Sequence, residues 1–332
     1  MNTQASQRMM AAFEEAEQRK SFLVATTQRD ERWLERAVRR GEVIRVRRGV
    51  FALRPHWESL GASERMLHTM RAMSFADERL VFAGTSAALA YGLEVSVQDV
   101  REVCLATTRS AHAESLDGAS QVIVSQDTPT RRSGVRVTSF LRTIYDCART
   151  LGFPSALAVV DSALRIKGIS GDRLASNVGQ ACRTRPGIRR ALDIISLADG
   201  RSENGGESKV RARMIKLGFQ VPDLQYEVED PMRPGHVYRM DYTWKLPDGS
   251  LVFGELDGKD KYLDADMTNG RPIEETLLAE RRRESRITLD SKTVRVMRFS
   301  YAEACNERYF SLLLDTYHVP RAEEIPAVAL TW

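Results

Sequence analysis

The fold of the C-terminal part of this 332-residue chain is decided by residues 236–257, HVYRMDYTWKLPDGSLVFGELD. Two runs rich in β-branched and aromatic residues flank the turn at 247–250, and such runs joined by a short turn predict a β-hairpin. Asp241 lies late in the first strand, and Glu255 lies in the second. The hairpin should therefore bring their carboxylates within reach of one divalent cation.

The sequence on both sides of the hairpin predicts an α/β unit. An amphipathic helix begins at Glu207, repeats apolar residues at i, i+4 and i+7, and ends at Gly218. The other predicted elements are, in chain order, a strand at 224–230, the hairpin, a charged helix at about 274–289, a strand at 293–299 and a helix from Tyr301. The predicted order is α-β-β-β-α-β-α around a mixed sheet.

Further charged residues surround the two hairpin acids. Glu207 could supply a third oxygen from the helix, and Asp257 shares the strand face of Glu255. Lys259 and Lys261 follow directly and can neutralise phosphate charge or orient a water. Carboxylate oxygens suit Mg²⁺ or Mn²⁺, which keep waters that can act as nucleophiles. The alternative is that these acids are structural, with Glu207 complementing the helix dipole.

This order of elements and these residues resemble the PD-(D/E)XK nuclease superfamily, in particular its very-short-patch-repair-like endonuclease domains. The resemblance matches Glu207 to the first-helix acid, Asp241 to the metal-binding aspartate, and Glu255 with Asp257 to the E-x-D-G core. It implies a restriction-endonuclease-like α/β core in which Asp241 and Glu255 bind the metal. The catalytic set that it implies is Glu207, Asp241, Glu255, Asp257, Lys259 and Lys261.

One position departs from that superfamily. Asp257 stands two residues after Glu255, where the signature carries a lysine that helps to activate the attacking water. Either Lys259 or Lys261 would have to replace this lysine, or the activity would be weak.

The N-terminal part predicts a different module. A short amphipathic helix around 33–38 ends at Gly41, and residues 42–53, EVIRVRRGVFAL, form two β-branched runs bent at 47–49. A helix followed by a hairpin is the order of a winged helix-turn-helix. Residues 28–48 carry eight arginines and four acids, which suits a helix in the major groove and a wing on the phosphates. A solvated helix face with ordinary surface arginines is the alternative.

The stretch RRGEVIRVRRGVFAL (39–53) resembles the N-terminal winged-helix domain of the AbiEi family of type IV antitoxins. Residues 83–93 and 139–164 are similar to the helical central domain of the same family. The resemblance implies DNA as a partner and, through the toxin–antitoxin pairs of that family, a cognate toxin protein. The candidate DNA-binding residues are Arg29, Arg32, Arg36, Arg45, Arg47 and Arg48, together with Arg281 and Arg282 in a segment that resembles the basic final-helix motif of the nucleases.

Composition sets further expectations. Hydrophobic residues make up 42% and charged residues 28% of the chain, with a net charge of +4, which is typical of a globular protein and argues against disorder. The four cysteines are far apart, so neither a zinc ribbon nor a disulfide framework is expected. The sequence shows neither a signal peptide nor a membrane-spanning run, and we expect a cytoplasmic protein without a membrane partner.

The expected fold class is a multidomain α+β protein with an N-terminal winged helix, a mostly helical middle region and a C-terminal restriction-endonuclease-like α/β core. The composition break DGRSENGG, at residues 199–206, is typical of a linker. The expected domains are the winged helix at 1–55, an AbiEi-like middle domain at 56–198, the linker at 199–206, the endonuclease-like domain at 207–318 and a tail at 319–332.

Two functions follow as alternatives. The first is a DNA-binding protein whose Mg²⁺-dependent nuclease-like domain hydrolyses phosphodiester bonds, in a toxin–antitoxin or phage-defence setting; the set of acids favours it. The second is a non-catalytic antitoxin-like repressor that binds DNA and a protein partner, and Asp257 in place of lysine favours it. A P-loop NTPase finds no support because the sequence lacks G-x-x-x-x-G-K-[ST].

Overall fold

The computed structural model of the chain describes residues 3–108, 119–257, 285–287 and 294–330. The chain is a mixed α/β protein, and it divides into two compact units that interleave along the sequence. The first unit comprises residues 1–151 and 174–192, and the second comprises residues 152–173 and 193–332. Among the described residues, no helix combines the length and the apolar character that are needed to cross a membrane.

The helices and strands follow one another in chain order. Up to residue 151 they are α1 (Thr3–Gln18), β1 (Leu23–Val24), α2 (Gln28–Arg39), β2 (Val43–Arg47), β3 (Val50–Leu53), α3 (Arg54–Ser59), α4 (Ala62–Ala76), α5 (Gly84–Ala90), β4 (Val103–Thr107), β5 (Ala119–Ile123), β6 (Thr130–Arg132), β7 (Val135–Val137) and α6 (Phe140–Thr150). Beyond residue 151 they are α7 (Phe153–Lys167), α8 (Gly171–Ala181), α9 (Ile188–Ser196), α10 (Gly205–Lys216), β8 (Asp223–Glu229), β9 (Val237–Lys245), β10 (Leu251–Asp257), β11 (Val294–Ser300), α11 (Tyr301–Cys305) and α12 (Glu307–Thr316).

Residues 3–53 form a module of two helices and a small sheet. β3 is the central strand and pairs antiparallel with both β1 and β2. Thr27 caps α2 by accepting a hydrogen bond from a backbone N–H of the first turn, and Leu34 of α2 packs with Phe13 and Phe51 in a buried core. Gly49, between β2 and β3, has φ 72, which suits glycine at a tight turn. The predicted helix and hairpin are confirmed.

The described residues of the middle region, 56–198, are mostly helical as expected, and they also include four short strands that were not predicted. β4 and β5 form a parallel pair, and β6 and β7 form an antiparallel pair. These strands have only three to five residues, which is too short for an alternating pattern to stand out in the sequence. Four buried apolar residues of β4 and β7 pack with buried residues of α4 and α5, namely Val103, Leu105, Val135 and Val137.

A four-stranded sheet in the order β11-β10-β9-β8 forms the centre of the second unit. β9 is antiparallel to β8 and β10, whereas β10 and β11 run parallel. All four strands begin and end within one residue of their predicted positions. Tyr242, Trp244 and Val252 of the sheet pack with Val210 and Met214 of α10 in one buried core.

α7 also belongs to the second unit and lies against α10. Asp161 of α7 and Arg211 of α10 form a buried ion pair with an Oδ2–Nη2 distance of 2.7 Å. Four apolar residues of α7 are buried, namely Leu157, Val160, Ala163 and Leu164.

The predicted domain boundaries differ from those of the compact units. The segment 199–206, predicted as a linker, packs on α7: the Asp199 N–H donates to Asp161 Oδ1 at 2.8 Å, and a Cβ at Gly200 would lie 2.9 Å from the Leu164 Cβ. Gly200, which contributed to the linker prediction, therefore permits a close contact with α7. Residues 319–330, predicted as part of a tail, pack on the same unit, where Val319 joins the core.

Candidate functional site

The candidate site lies where the N-terminus of α10 meets the middle of β9 and the end of β10. Asn204 caps the helix by accepting the Glu207 N–H at 3.0 Å. A Cβ at Gly206 would lie 2.9 Å from Asn204 Oδ1 and 3.6 Å from Leu256 Cδ2, so glycine lets the helix begin close to β10. The Tyr242 hydroxyl donates to the Glu207 carbonyl at 2.9 Å, which connects β9 to the same turn.

Glu207 is buried, and nitrogen donors contact both of its carboxylate oxygens. Oε2 accepts the Glu203 N–H at 2.7 Å, and Oε1 accepts the Asn204 side-chain amide at 2.6 Å. Burial raises the pKa of Glu207 to about 7, and the nearby Asp241 carboxylate adds to the rise. Glu207 thus organises the start of the helix, and its carboxyl group takes up a proton at a higher pH than an exposed glutamate does.

Asp241 stands at an irregular point of β9. Side chains alternate along a regular strand, yet Met240 and Tyr242 belong to separate apolar clusters. On the neighbouring strand β8, Gln225 has φ 53, a conformation that is uncommon for a residue other than glycine. Asp241 Oδ2 accepts the backbone N–H of Leu256 at 2.9 Å, so this carboxylate reaches across to β10.

Glu255 and Asp257 meet an arginine of β11. The parallel ladder aligns buried Glu255 with Arg298, and the Arg298 guanidinium donates to Asp257 Oδ1 at 3.1 Å. Sequence analysis did not identify Arg298, because its place beside β10 depends on a parallel pairing across a long crossover. The available signal was a charged residue between the buried positions Met297 and Phe299.

Asp241 and Glu255 are the residues that could hold a hard cation. The last residues paired between β9 and β10 are Tyr242 and Gly254, and Asp241 and Glu255 occupy the next position beyond that pair. Within the described ranges, no group of three or more His, Cys, Asp or Glu side chains has the arrangement of a metal site. Glu207 accepts from two nitrogen donors, and Asp257 pairs with Arg298. Two carboxylates match the chemistry of Mg²⁺, which is commonly bound through one or two of them and keeps several waters.

Four candidate residues lie outside the described part of the chain, namely Lys259, Lys261, Arg281 and Arg282. The helix predicted at about 274–289 lies there too, except for residues 285–287, which are helical. A cation that sequence analysis missed is Arg165 of α7, whose charge acts to lower the pKa of Glu207. Its guanidinium donates to the Ser202 carbonyl.

A second candidate surface is the exposed side of α2. A groove of about 860 Å³ on this side is lined by Glu35 and by four arginines, namely Arg29, Arg32, Arg36 and Arg39. All four are exposed, and they recur every three or four residues, so they share one side of the helix. The groove therefore presents a concentrated positive charge.

The three predicted arginines of the hairpin differ in their surroundings. Arg48 is exposed in the turn. Arg45 forms an ion pair with Glu35 at 2.6 Å, and Arg47 is half-buried and donates to the Met73 sulfur at 3.1 Å. The α2 arginines and Arg48 are therefore better placed for phosphate contacts than Arg45 and Arg47.

The chain is similar in sequence to two uncharacterized proteins of Mycobacterium tuberculosis, one from strain H37Rv and one from strain CDC 1551. Each is 36% identical to the chain over 122 residues, which is 37% of this chain and 43% of the relative. The chain thus spans less than half the length of the curated relatives that it matches. No protein-family model matches the chain, and no solved structure matches it.

Proposed function

We propose that the protein binds DNA and hydrolyses phosphodiester bonds with Mg²⁺ or Mn²⁺, as a cytoplasmic nuclease-like protein in a toxin–antitoxin or phage-defence setting. The observation that carries this proposal is that Asp241 Oδ2 accepts the backbone N–H of Leu256, the residue after Glu255, at 2.9 Å, and that the Asp241 carboxylate is close enough to Glu207 to raise its pKa. The succession of α10, the strands β8 to β11 and α11 is also the order on which the resemblance to the endonuclease-like core rests.

The residues of the site divide the chemistry among them. Asp241 and Glu255 would hold the cation, which supplies positive charge to the phosphate and lowers the pKa of a coordinated water. Glu207 accepts hydrogen bonds from the Glu203 N–H and the Asn204 amide, so it would position the start of α10 beside the metal ligand Asp241. Arg298 fixes the orientation of Asp257 through their ion pair.

Duplex binding is assigned to the first unit. The sheet order β1-β3-β2 beside α2 fits a winged helix, in which α2 enters the major groove and the turn at Arg48 contacts phosphate. The exposed arginines of α2 supply the charge that such a contact requires.

One observation favours the second candidate, a DNA-binding repressor that does not cut. Asp257 occupies the position of the expected lysine and is paired with Arg298. A carboxylate held by an ion pair cannot supply the positive charge that the lysine would bring to the reaction. Cleavage then depends on a lysine elsewhere, and without one the protein would bind DNA and a toxin-like partner only.

The test combines cleavage and binding in one set of full-length proteins. Wild type, Glu255→Ala and Asp241→Ala are incubated with plasmid in Mg²⁺, in Mn²⁺ and in EDTA, and duplex affinity is measured as a function of salt. We expect nicking by wild type with metal only, and loss of nicking with intact duplex binding in both variants, because a metal ligand and not a phosphate contact is removed.

The double variant Arg32→Ala/Arg36→Ala should show the reverse pattern. Its duplex affinity should fall for every sequence, and the slope of log K against log salt should drop by about 1.8 units, or about 0.9 for each lost phosphate contact. Arg308→Ala, an exposed arginine of α12, is the matched control and should bind normally. Nicking that survives in Glu255→Ala contradicts the nuclease proposal, and duplex binding without nicking in any metal establishes the repressor instead.

A further inference from the structure

A basic groove lies on the first unit away from the α2 surface. It has a volume of about 490 Å³ and lies between the end of α1, the end of α4 and the β6–β7 turn. Its charged lining consists of the five cations Arg19, Lys20, Arg71, Arg131 and Arg136, and of Glu78. Five positive charges against one negative charge attract a polyanion.

An exposed aromatic ring stands at the edge of this groove. Phe75, at the end of α4, is 58% exposed, and the guanidinium of Arg19 lies 5.0 Å from its centroid. Phe75 also borders a second groove of about 250 Å³, whose lining includes Met9, Phe22 and Leu23. That second groove also contains the ion pairs Arg8–Asp30 and Arg19–Glu15. The ring thus stands between a strongly basic groove and one with apolar side chains and balanced charge, so a base can stack on it while the phosphates face the basic side.

The basic groove is built on a fixed frame. The Arg71 guanidinium donates to the carbonyls of Lys20 and Ser133, each at 2.8 Å. Both of these residues have left-handed backbone, with φ 50 and φ 48. Such conformations persist only where the surroundings hold them. Arg71 therefore joins the end of α1 to the β6–β7 turn and is fixed in place before any ligand arrives.

The grooves continue towards α2. The groove on the far side of Phe75 contains Arg8, and Arg8 also lines a pocket that includes Arg29 and Arg36 of α2. A chain of nucleotides that leaves the α2 surface could follow these grooves past Arg19 to Arg131. Because α2 is proposed to bind DNA, this continuity favours nucleic acid over an acidic protein segment as the occupant.

We infer that this groove binds single-stranded nucleic acid, with a base stacked on Phe75 and phosphates held by Arg71, Arg131 and Arg136. Base stacking on an aromatic side chain within a basic groove is the general mode of sequence-tolerant single-strand binding. The inference rests on the proposed function in one respect, because continuity with the α2 surface is what favours nucleic acid as the occupant; single-strand binding itself requires neither the acid cluster nor duplex binding by α2.

The test measures fluorescence anisotropy of the full-length protein with a labelled oligothymidylate of about twelve nucleotides, within the usual site size. Phe75→Ala should weaken binding roughly 5- to 150-fold, and Phe75→Trp should retain it, since tryptophan stacks on a base. Arg131→Ala/Arg136→Ala should reduce the salt slope by about 1.4 units, or about 0.7 for each contact with a single strand. Tyr309→Ala, an exposed aromatic residue of α12, is the matched control and should bind as wild type.

Three outcomes would overturn the inference. They are unchanged binding in Phe75→Ala, equal losses in Phe75→Ala and Tyr309→Ala, and displacement of the oligonucleotide by polyglutamate at the same charge concentration as by unlabelled oligothymidylate. The last outcome would mean that charge alone is recognised, as for an acidic protein. Thermal melts confirm that each variant is folded. Duplex binding by Arg32→Ala/Arg36→Ala is measured separately, so the single-strand binding result can be interpreted even if the proposed function fails.

Discussion

His68 on α4 is a buried imidazole in unusual surroundings. It is 5% exposed, and its ring centroid lies 5.2 Å from that of Phe22 and 5.5 Å from that of His56. Within the part of the chain that the structure describes, its Nδ1 has no hydrogen-bond partner. Burial lowers the pKa of His68 to about 4; the charges of Arg71, His56 and Lys20 act in the same direction, and that of Glu64 opposes them.

This shift predicts a loss of stability in acid. The unfolded chain, with an imidazole pKa of 6.5, binds more protons than the folded chain between pH 6.5 and about 4, so the stabilising contribution is present above pH 6.5 and is lost as the pH falls towards 4. The loss amounts to at most about 3 kcal/mol. Urea unfolding at pH 7.5 and pH 4.5 should show a smaller acid-induced loss in His68→Leu than in wild type.

The exposed residue His236 supplies the matched control. His236→Gln should lose as much stability in acid as wild type does. An equal acid sensitivity in His68→Leu and wild type would show that His68 does not titrate as its burial requires.

At this scale the sequence identifies acids more readily than their partners. Asp241 and Glu255 stand among buried apolar strand residues, where a carboxylate needs a partner, and the pattern alone reveals them. Arg298 and Asn204 were not recognised, because their roles depend on which strand and which helix end come together. Proximity between distant segments is not encoded in local periodicity.

The beginning of α10 depends on a chain of close contacts. Asn204 Oδ1 accepts the Glu207 N–H, and a Cβ at Gly206 would come within 2.9 Å of that same oxygen. Real Cβ atoms do not approach so closely, so Gly206→Ala must displace the cap. The Asn204 cap therefore depends on the absence of a side chain at Gly206.

A double-mutant cycle tests this coupling. Asn204→Ala should cost about 1 kcal/mol, the usual value of an N-cap. Gly206→Ala should also destabilise wild type, because the lost cap outweighs the gain of about 0.5–1 kcal/mol that alanine brings within a helix. In the Asn204→Ala background, Gly206→Ala should become neutral or stabilising, as measured by urea unfolding. Additive costs would contradict the coupling.

Elements with strong patterns were predictable and short ones were not. The strands of the second unit were placed within one residue, because each has seven or nine residues with clear flanking turns. β4 to β7 were missed because their sequences carry only a weak strand pattern, and the strands are stabilised by pairing with each other. The irregularity at Asp241 was also missed, because it involves Gln225 on a neighbouring strand.

A buried ion pair joins two segments of the second unit that lie 50 residues apart in sequence. Arg211 is 1% exposed and Asp161 is fully buried, and Arg211 also donates to the Leu197 carbonyl at 2.7 Å. Removing Asp161 leaves a guanidinium in the core without its counter-charge. The segment that composition marked as a linker passes directly over this pair.

Asp161→Ala should therefore destabilise the protein by about 3–5 kcal/mol, the cost of an uncompensated buried charge. The double variant Asp161→Leu/Arg211→Met replaces both charges with apolar groups and should recover most of that loss. Thermal and urea unfolding of the three proteins measure the difference. A double variant as unstable as Asp161→Ala would mean that the pair contributes through its geometry and not through charge compensation.

Interleaving of the two units has a consequence for synthesis on the ribosome. The first unit is complete only when residue 192 has emerged, which is 192 − 151 = 41 residues after its first segment ends. At about 5–20 residues per second, translation of this stretch takes roughly 2–8 s. α7 is made during that interval, while α10, which will cover Asp161, is still untranslated. The nascent chain therefore carries an uncovered apolar helix for several seconds, which is the kind of segment that chaperones bind.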